Sequence, residues 1–582
     1  MAGTGPGAAS RVAAEAISCG VRHTLLVSMV LAAALVPSAA AAAGPASSDP
    51  GNGRPLEFLQ VAAASGTSAV DRLVDGAGRS VLLRGVNVDG LVDYGTADLT
   101  PPYPTSASAY TNGACPMDNP SVEGVVLCEH DLADMRAQGY DDIRLNISWS
   151  LLEPTPGTID AGYLDRISQV VGWARAQRIY VTLDVHGDLW SKYVVPNSTC
   201  PPAVTTATRG QDGAPAWATD TSTPDCAPGG VGETSPTVGT SSQKFFADAA
   251  GPDGVGLQEH YTHMLAALAG RFVEDPTVVG YDVINEPVPG VAPGAFTQTE
   301  LFPFYAKVVA AVTTAVPGFR QLFFLEPGGE RNVSAARSVF TSWATLSSYP
   351  EVVYAPHIYT GVFTAGTATG TPETATSDSD YAAAVGDAAA LGVPLWVGEF
   401  GNVPQDDARL LAPQYALLDS YDVGGTIWLW KEHGSWGIEN QPFTGSSGVF
   451  DAPRAIRVAR TYPLLTAGDV ISLVEDPTLG KLDLQLTSPA VAAGDHAHGT
   501  LVSVPASLPG PLLVEGAASE VVPQASGARD VWLFPVGGAY RLRLQPAMAA
   551  ALPEVPYPAM LAALGVVTVA VARRRRGFAG RG

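Results

Sequence analysis

The alternation of short apolar strands with helical segments most constrains how this chain of 582 residues can fold. Eight candidate strands share this pattern, at 80–88, 141–147, 178–185, 278–284, 321–326, 352–358, 394–400 and 424–430. Most are continuous apolar runs, as expected for strands buried on both faces of a parallel sheet. Several intervening segments, such as 161–178 and 256–272, place apolar residues at helical spacing. We therefore expect an α/β fold built on a (β/α)8 TIM barrel.

The character of the sequence changes after residue 465. Residues 481–487 (KLDLQLT) and 540–545 (YRLRLQ) alternate apolar and polar side chains, and Pro or Gly turns recur between such runs. This pattern is typical of antiparallel strands with one buried face. We expect a catalytic barrel over 44–465, followed by a small C-terminal antiparallel β-sandwich domain over 466–546.

Two of the candidate barrel strands run into a glutamate. Glu286 ends the segment GYDVINEP (280–287), and Glu399 lies near the end of PLWVGEF (394–400). The C-terminal ends of all strands in a (β/α)8 barrel meet on one face, and this face carries the active site. The two glutamates are therefore predicted to face each other across the mouth of the barrel.

Paired carboxyl groups across a cleft are what glycoside hydrolysis requires. One group must be protonated to donate to the leaving oxygen, and the other must be ionised to attack the anomeric carbon or stabilise positive charge there. A metal site is the competing interpretation, but the two motifs lack the additional carboxylate and histidine ligands. We expect no cofactor and no metal.

Seven motifs occur in an order typical of one enzyme family: RGVNV, IRLNISWSLLEP, LDVHGD, INEP, APHIY, WVGEFG and WLWK. On these motifs the chain resembles glycoside hydrolase family 5, a family of barrel-fold retaining β-glycosidases, over nearly all of 73–465. The stretches RGVNVDGLVDYG, GAPAWAT and FFLEP, with the β-domain after the barrel, are most similar to endoglycoceramidases. That resemblance implies hydrolysis of the bond between glycan and ceramide in a glycolipid.

The resemblance also assigns roles to residues. It implies that Glu286 is the general acid/base and that Glu399 is the nucleophile. Asn285 would hydrogen-bond the sugar 2-hydroxyl. Arg144 and Tyr359 would hold Glu399 ionised and oriented, since both can donate hydrogen bonds to a carboxylate.

Further positions at strand ends match the sugar-binding residues of the family. His186 and His357 would line the sugar subsite, and Asp188 would bind sugar hydroxyls. Endoglycoceramidases usually carry Gln between this His and Asp, where this chain has Gly187, so the resemblance does not fix the sugar headgroup. Trp430 is predicted to stack on the sugar, whereas core packing is at least as good an interpretation for Trp428.

Other functions stay open on the sequence alone. The same family could supply an endo-β-1,4-glucanase, a mannanase or a steryl β-glucosidase acting on another β-glycoside. A catalytically dead barrel that binds glycans at the cell surface is a further alternative, although retention of both glutamates argues against it. The formal charge of −23 argues against a nucleic-acid partner, which would require a basic surface. We expect a monomer.

Both ends of the chain suggest export. Basic residues precede an apolar run at 24–36 and a small-residue tract, which predicts a signal peptide over 1–43 and secretion. An uncleaved anchor is the alternative, but the run is short for a membrane span. Near the other end, the apolar segment 559–572 precedes four arginines. We therefore expect 547–582 to form a linker, a transmembrane anchor and an Arg-rich cytoplasmic tail that tether the protein to the membrane.

Four cysteines follow the predicted signal peptide: Cys115, Cys128, Cys200 and Cys226. An even number of cysteines in an exported chain favours disulfides over free thiols. We expect the pairs Cys115–Cys128 and Cys200–Cys226, each closing one loop. A zinc site is less well supported, because no C-x-x-C motif is present.

Overall fold

A computed structural model describes residues 56–92, 127–194, 212–222, 235–289, 295–362, 374–432, 436–440 and 449–544, except 67, 336 and 339. The predicted signal peptide (1–43) and the predicted anchor and tail (547–582) lie outside these residues. The same holds for Cys115, Cys200 and Cys226. Cys128 is disulfide-bonded, and the predicted pairings stay predictions.

The centre of the structure is a nine-stranded parallel sheet. Its strands are β4 Arg84–Val88, β5 Asp142–Ser148, β6 Tyr180–His186, β7 Val278–Asp282, β8 Leu322–Leu325, β9 Val352–Tyr354, β10 His357–Ile358, β11 Trp396–Phe400 and β12 Gly424–Ile427. They are ordered β10-β11-β12-β4-β5-β6-β7-β8-β9. Only Ala355 and Pro356 separate β9 from β10, so these two strands occupy one position and the sheet closes on itself. The predicted (β/α)8 barrel is confirmed.

Nine α-helices lie in the described part of the chain. They are α1 Glu129–Ala137, α2 Trp149–Leu152, α3 Ala161–Ala176, α4 Pro236–Phe246, α5 Leu257–Phe272, α6 Phe302–Ala315, α7 Thr374–Leu391, α8 Ala412–Tyr421 and α9 Ala452–Val458. Helix α3 shows why the sequence forms them. Asp160 caps its start by accepting a hydrogen bond from the Tyr163 N–H over 2.8 Å. Its buried residues Ile167, Val170 and Val171 recur at helical spacing and face the core.

Antiparallel strands form the second part of the fold. Those in the seven-stranded sheet are β1 Gln60–Ala62, β2 Arg72–Val74, β3 Ser80–Val81, β16 Tyr462–Thr466, β19 Thr500–Val504, β21 Ala517–Pro523 and β22 Arg529–Pro535. A four-stranded sheet holds β17 Asp469–Asp476, β18 Lys481–Ser488, β20 Leu512–Glu515 and β23 Gly538–Leu544. A small third sheet holds β13 Lys431–Glu432, β14 Glu439–Asn440 and β15 Val449–Phe450.

The antiparallel part confirms the predicted β-fold after the barrel. Strand β18 buries Leu482, Leu484 and Leu486 and turns the alternate side chains outward, as the sequence pattern predicts. The pairing also brings in N-terminal residues, because β3 pairs with β16. The exact domain boundaries stay a prediction.

The predicted transmembrane tether is wrong for the chain as the structure describes it. Within those residues, no helix has both the length and the apolar character needed to cross a membrane. The predicted span, 559–572, lies outside them. We therefore withdraw the membrane tether and the membrane as a partner.

Candidate active site

Glu399 lies near the end of β11, where its carboxylate is held at both oxygens. Arg144 on β5 donates to Oε1 over 2.6 Å, and the Tyr359 hydroxyl donates to Oε2 over 2.7 Å. The Glu399 side chain is only 5% exposed. These donors favour the ionised carboxylate and fix its orientation.

Glu286 follows β7 and projects into the same mouth. Its backbone has φ +42°, a left-handed conformation that non-glycine residues rarely adopt. The backbone N–H donates to Glu326 Oε2 over 2.8 Å. Its side-chain Oε1 accepts from Asn332 Nδ2 over 2.7 Å and lies 2.9 Å from His357 Nδ1. The side chain is 28% exposed, so it is open to a ligand in the cleft.

The two predicted catalytic glutamates are brought together. One oxygen of Glu286, one oxygen of Glu399 and one ring nitrogen of His357 all lie within 4.8 Å of one another. The pairing of β10 with β11 supports this arrangement, because His357 and Glu399 are register partners. The strand-end pattern in the sequence therefore located two carboxyl groups of one cleft.

Arg144 is the centre of the charge network below the glutamates. It is fully buried, and its guanidinium contacts four carboxylates over 2.6–3.0 Å: Asp184, Asp282, Glu326 and Glu399. It also donates to Asn285 Oδ1 over 2.9 Å. Burial would lower the pKa of Arg144, but the four carboxylates outweigh burial and raise it well above its ordinary value. Arg144 therefore carries a permanent positive charge at the base of the site.

The pKa values of the two glutamates move in opposite directions. Burial raises the pKa of Glu399, and the positive charges of His357 and Arg144 offset only part of this rise. Burial acts on Glu286 as well, but the hydrogen bond and the charge of His357 outweigh it, and the pKa of Glu286 is lowered. In this structure Glu286 is therefore the more acidic of the two groups.

Asn285 presents one free donor to the cleft. Its Oδ1 accepts from Arg144, whereas its buried Nδ2 has no hydrogen-bond partner. A buried donor without a partner costs free energy unless a ligand satisfies it. Nδ2 is therefore suited to binding a ligand oxygen.

His186 and Asp188 lie together at the end of β6, the strand next to β7. His186 Nδ1 lies 2.7 Å from Asp184 Oδ2, which leaves the buried Nε2 without a hydrogen-bond partner, 3.9 Å from Asp188 Oδ1. Asp212, which the sequence analysis missed, accepts from the Asp188 N–H over 2.7 Å. Burial, reinforced by Asp212 but opposed by His186, raises the pKa of Asp188 to about 8.

The two tryptophans weighed for sugar stacking lie in different surroundings. Trp430 is 1% exposed and part of the hydrophobic core, and its Nε1 donates to Asp131 over 3.1 Å. Trp428 is partly exposed and stacks on His186, with ring centroids 5.4 Å apart and planes inclined by 17°. The structure thus places Trp430 in the core and Trp428 beside the sugar-binding candidates.

Several polar residues of the site were missed in the sequence. The two with direct contacts to Glu286 are Glu326 and Asn332; Glu326 also binds Arg144. Glu326 follows a barrel strand just as Glu286 does, so the strand-end rule could have found it. Asn332 lies in a short 3₁₀ helix, Gly329–Val333, which gives no such signal.

Three groups of carboxylate and histidine side chains in this mouth have ligand atoms close enough to share a cation. Two of them contain His357 and lie against Arg144, so positive charge is already supplied there. The third consists of His186, Asp188 and Asp212. We assign no metal role to these residues.

Comparison with known proteins identifies the family. Residues 128–434, more than half of the chain, match cellulase (glycosyl hydrolase family 5). The chain is 28% identical over 459 residues to endoglycoceramidase I of Rhodococcus hoagii (strain 103S), covering 74% of this chain and 78% of that relative.

Solved structures agree with this match. A crystal structure of an endogalactoceramidase is similar over 84% of this chain and 100% of its own, with a TM-score of 0.65 and 28% identity. Endo-glycoceramidase II from Rhodococcus sp., solved as a lactosyl-enzyme intermediate, is similar over 81% and 99%, with a TM-score of 0.60 and 26% identity. The chain therefore belongs to glycosyl hydrolase family 5 and is a glycoside hydrolase.

Proposed function

We propose that this protein is a retaining β-glycosidase that releases intact glycans from ceramide in glycosphingolipids. Glu399 is the nucleophile and Glu286 the general acid/base. The observation that carries this proposal is the close approach of the two carboxyl groups, with Glu399 held at both oxygens by Arg144 and Tyr359.

The spacing of the carboxyl groups favours retention over inversion. Retaining glycosidases place the two groups about 5–5.5 Å apart, whereas inverting enzymes need about 6.5–9.5 Å to fit a water molecule between base and sugar. Oxygens of Glu286 and Glu399 lie within 4.8 Å of each other. So close an approach of the oxygens is on the retaining side of these two ranges, which favours direct attack by Glu399 on the anomeric carbon.

The reaction then proceeds by two displacements. Glu399 attacks the anomeric carbon while Glu286 protonates the aglycone oxygen, and the ceramide leaves from a covalent glycosyl-enzyme. Glu286 next removes a proton from water, which attacks the same carbon and frees both the sugar and Glu399. The donor on Asn285 Nδ2 is placed to bind the sugar 2-hydroxyl, an interaction that can strengthen in the transition state.

The acid role of Glu286 depends on substrate binding. Its pKa is lowered in this structure, whereas a proton donor needs a raised one. A sugar and its aglycone would remove water from the Glu286 side chain, which is 28% exposed here. Desolvation raises the pKa of a carboxyl group, so substrate binding moves Glu286 in the direction that its role requires.

Two relatives support the glycolipid substrate. Endoglycoceramidase I matches 74% of this chain, and the endogalactoceramidase structure matches 84%. His186, Asp188 and Trp428 offer a ring face and polar atoms for a sugar beside β6, the strand that neighbours β7 and Glu286. Stacking of sugars on aromatic rings with hydroxyls bound by carboxylates fits a compact glycan headgroup.

Hydrolysis of defined substrates tests the proposal. The protein is incubated with detergent-solubilised glucosyl-, galactosyl- and lactosylceramide and, in parallel, with soluble β-glucan, and products are identified by mass. We expect ceramide and intact sugar from at least one glycolipid. The sugar should be released first with the anomeric configuration of the substrate, as followed by NMR.

Three variants make the result specific. Glu286→Gln and Glu399→Gln should lose turnover, while Glu330→Gln, at an exposed glutamate of the neighbouring loop, should keep it. Glucan oligosaccharides with untouched glycolipids would refute the substrate and leave the two-glutamate mechanism standing. An inverted first product would refute the mechanism.

A further inference from the structure

Glu326, the residue that follows β8, is not needed to explain bond cleavage, yet it contacts every part of the acid/base machinery. It is 1% exposed. Its Oε2 accepts from the Glu286 N–H over 2.8 Å, and its Oε1 lies 3.0 Å from Arg144 Nη2 and 3.1 Å from His357 Nε2. Two donors therefore bind this carboxyl group, one at each oxygen, and the His357 ring lies against it at ion-pair distance.

His357 connects Glu326 to the acid/base. Nε2 faces Glu326, while Nδ1 lies 2.9 Å from Glu286 Oε1. The ring is completely buried, so it is confined to this orientation. A carboxylate beside one ring nitrogen stabilises the protonated ring and so raises the proton affinity of the other nitrogen, which faces Glu286. The negative charge of Glu326 therefore acts through the His357 ring on the carboxyl group of Glu286, the proposed proton donor.

Glu326 also restrains the backbone of Glu286. A left-handed φ of +42° at a residue with a side chain is unfavourable by itself. The hydrogen bond from the Glu286 N–H to Glu326 compensates for it and sets the direction in which the Glu286 side chain leaves the backbone. One carboxylate thus controls both the position and the electrostatic surroundings of Glu286.

We propose that Glu326 is a positioning residue that sets the proton affinity of Glu286 through His357. The inference rests on the proposed acid/base role of Glu286. The other titratable groups facing the His357 ring are Glu399, at 3.5 Å from Nδ1, Asp282 and Tyr359. Glu326 differs from these because it alone contacts both His357 and the Glu286 backbone.

The first test is the pH dependence of kcat, which reports the substrate complex in which Glu286 is the proton donor. Glu326→Gln removes the negative charge beside His357, so His357 and Glu286 hold the proton between them less tightly. The basic limb of the profile, where activity falls as this proton is lost, should move to lower pH by about one unit or more. Glu326→Asp keeps the charge one methylene farther away and should show a smaller shift in the same direction. Glu330→Gln removes an exposed charge from the same loop and should leave the limb unmoved. Lower activity with unmoved limbs in Glu326→Gln would overturn the proposal, since a purely structural role gives that result.

A second test needs neither substrate nor the Gln variant, which matters if Glu326→Gln does not fold. Histidine ring carbons labelled with ¹³C are titrated by NMR, and the His357 signal is assigned with His357→Gln. We expect a midpoint above the ordinary value of about 6.5 in the wild type, and a lower midpoint in Glu326→Asp. Equal midpoints, or a wild-type midpoint at or below the ordinary value, would overturn the proposal. Failure of the proposed function would show separately, as a wild-type protein that hydrolyses none of the β-glycosides.

Discussion

Tyr359→Phe isolates the electrostatic control of the nucleophile. The substitution removes only the hydroxyl that donates to Glu399 Oε2 over 2.7 Å, and it leaves the ring in place. A hydrogen bond to a charged group contributes about 1.5–3 kcal/mol. At 1.36 kcal/mol per pKa unit, its loss raises the pKa of Glu399 by about 1–2 units.

The assay is kcat against pH on a soluble aryl β-glycoside, because kcat reports the substrate complex, in which Glu286 acts as the proton donor. In the proposed mechanism turnover requires ionised Glu399, so activity is lost as pH falls through the pKa of Glu399. Burial already raises this pKa, which places the acidic limb of the wild type above about 4.3, the value for an exposed glutamate. Removing the hydroxyl raises the pKa further, so the acidic limb should move to higher pH by about 1–2 units.

The matched control is Tyr349→Phe. The Tyr349 hydroxyl donates to the Gln321 carbonyl over 2.7 Å, a bond that touches neither glutamate. Its loss should lower the free energy of unfolding by about 1 kcal/mol and leave the acidic limb in place. An unmoved acidic limb in Tyr359→Phe, or one displaced to lower pH, would refute the role of the hydroxyl in stabilising ionised Glu399.

Three further predictions concern stability and binding. Arg144→Met leaves four buried carboxylates without their common partner and should lower the free energy of unfolding by about 3–5 kcal/mol in urea titrations at pH 7. The deficit should shrink at acidic pH, where these carboxylates are protonated in the variant. Trp428→Ala should raise KM with little change in melting temperature. Trp430→Ala should lower the free energy of unfolding by about 3–5 kcal/mol. The reverse pattern would support sugar stacking by Trp430 instead. Gly213→Ala puts a Cβ 2.3 Å from a backbone oxygen at a residue with φ +98°. It should lower the melting temperature more than Gly254→Ala, where φ is +86° but no atom lies within 4 Å of the added Cβ. Equal melting temperatures would contradict this.

Sequence patterns predicted the barrel because its strands are apolar on both faces. β5 and β6 are buried at every position, and such runs are visible without a structure. The strand-end rule then found Glu286 and Glu399. The same rule applied to the motif FFLEP would have found a third glutamate, Glu326, which faces the interior network, but the resemblance assigned no role to it.

Other features depend on contacts that local pattern does not encode. The sequence prediction placed both tryptophans in the eighth strand, 424–430, yet β12 ends at Ile427, so strand alternation extends to neither Trp428 nor Trp430. Strands β1, β2 and β3 are two or three residues long, too short for a periodic signal. Their place in the antiparallel sheet depends on pairing with residues near the far end of the chain, such as β3 with β16.

The charge balance of the cleft explains how one site can hold a neutral sugar and still favour a cationic transition state. Eight carboxyl groups line or underlie it: Asp89, Asp184, Asp188, Asp212, Asp282, Glu286, Glu326 and Glu399. Arg144 and two histidines are their basic partners within the cluster. Burial, together with neighbouring carboxylates, raises the pKa of Asp89 and Asp282, so the excess of carboxyl groups favours proton uptake at these two residues. The remaining negative charge stabilises positive charge at the anomeric carbon and disfavours an anionic sugar in the same position. His357 and Arg144 act on both glutamates, whereas Tyr359 contacts the Glu399 carboxylate and Glu326 contacts the Glu286 backbone. In the proposed mechanism Glu399 is the ionised group and Glu286 the protonated one, so the substitutions at Tyr359 and Glu326 should move opposite limbs of the pH profile.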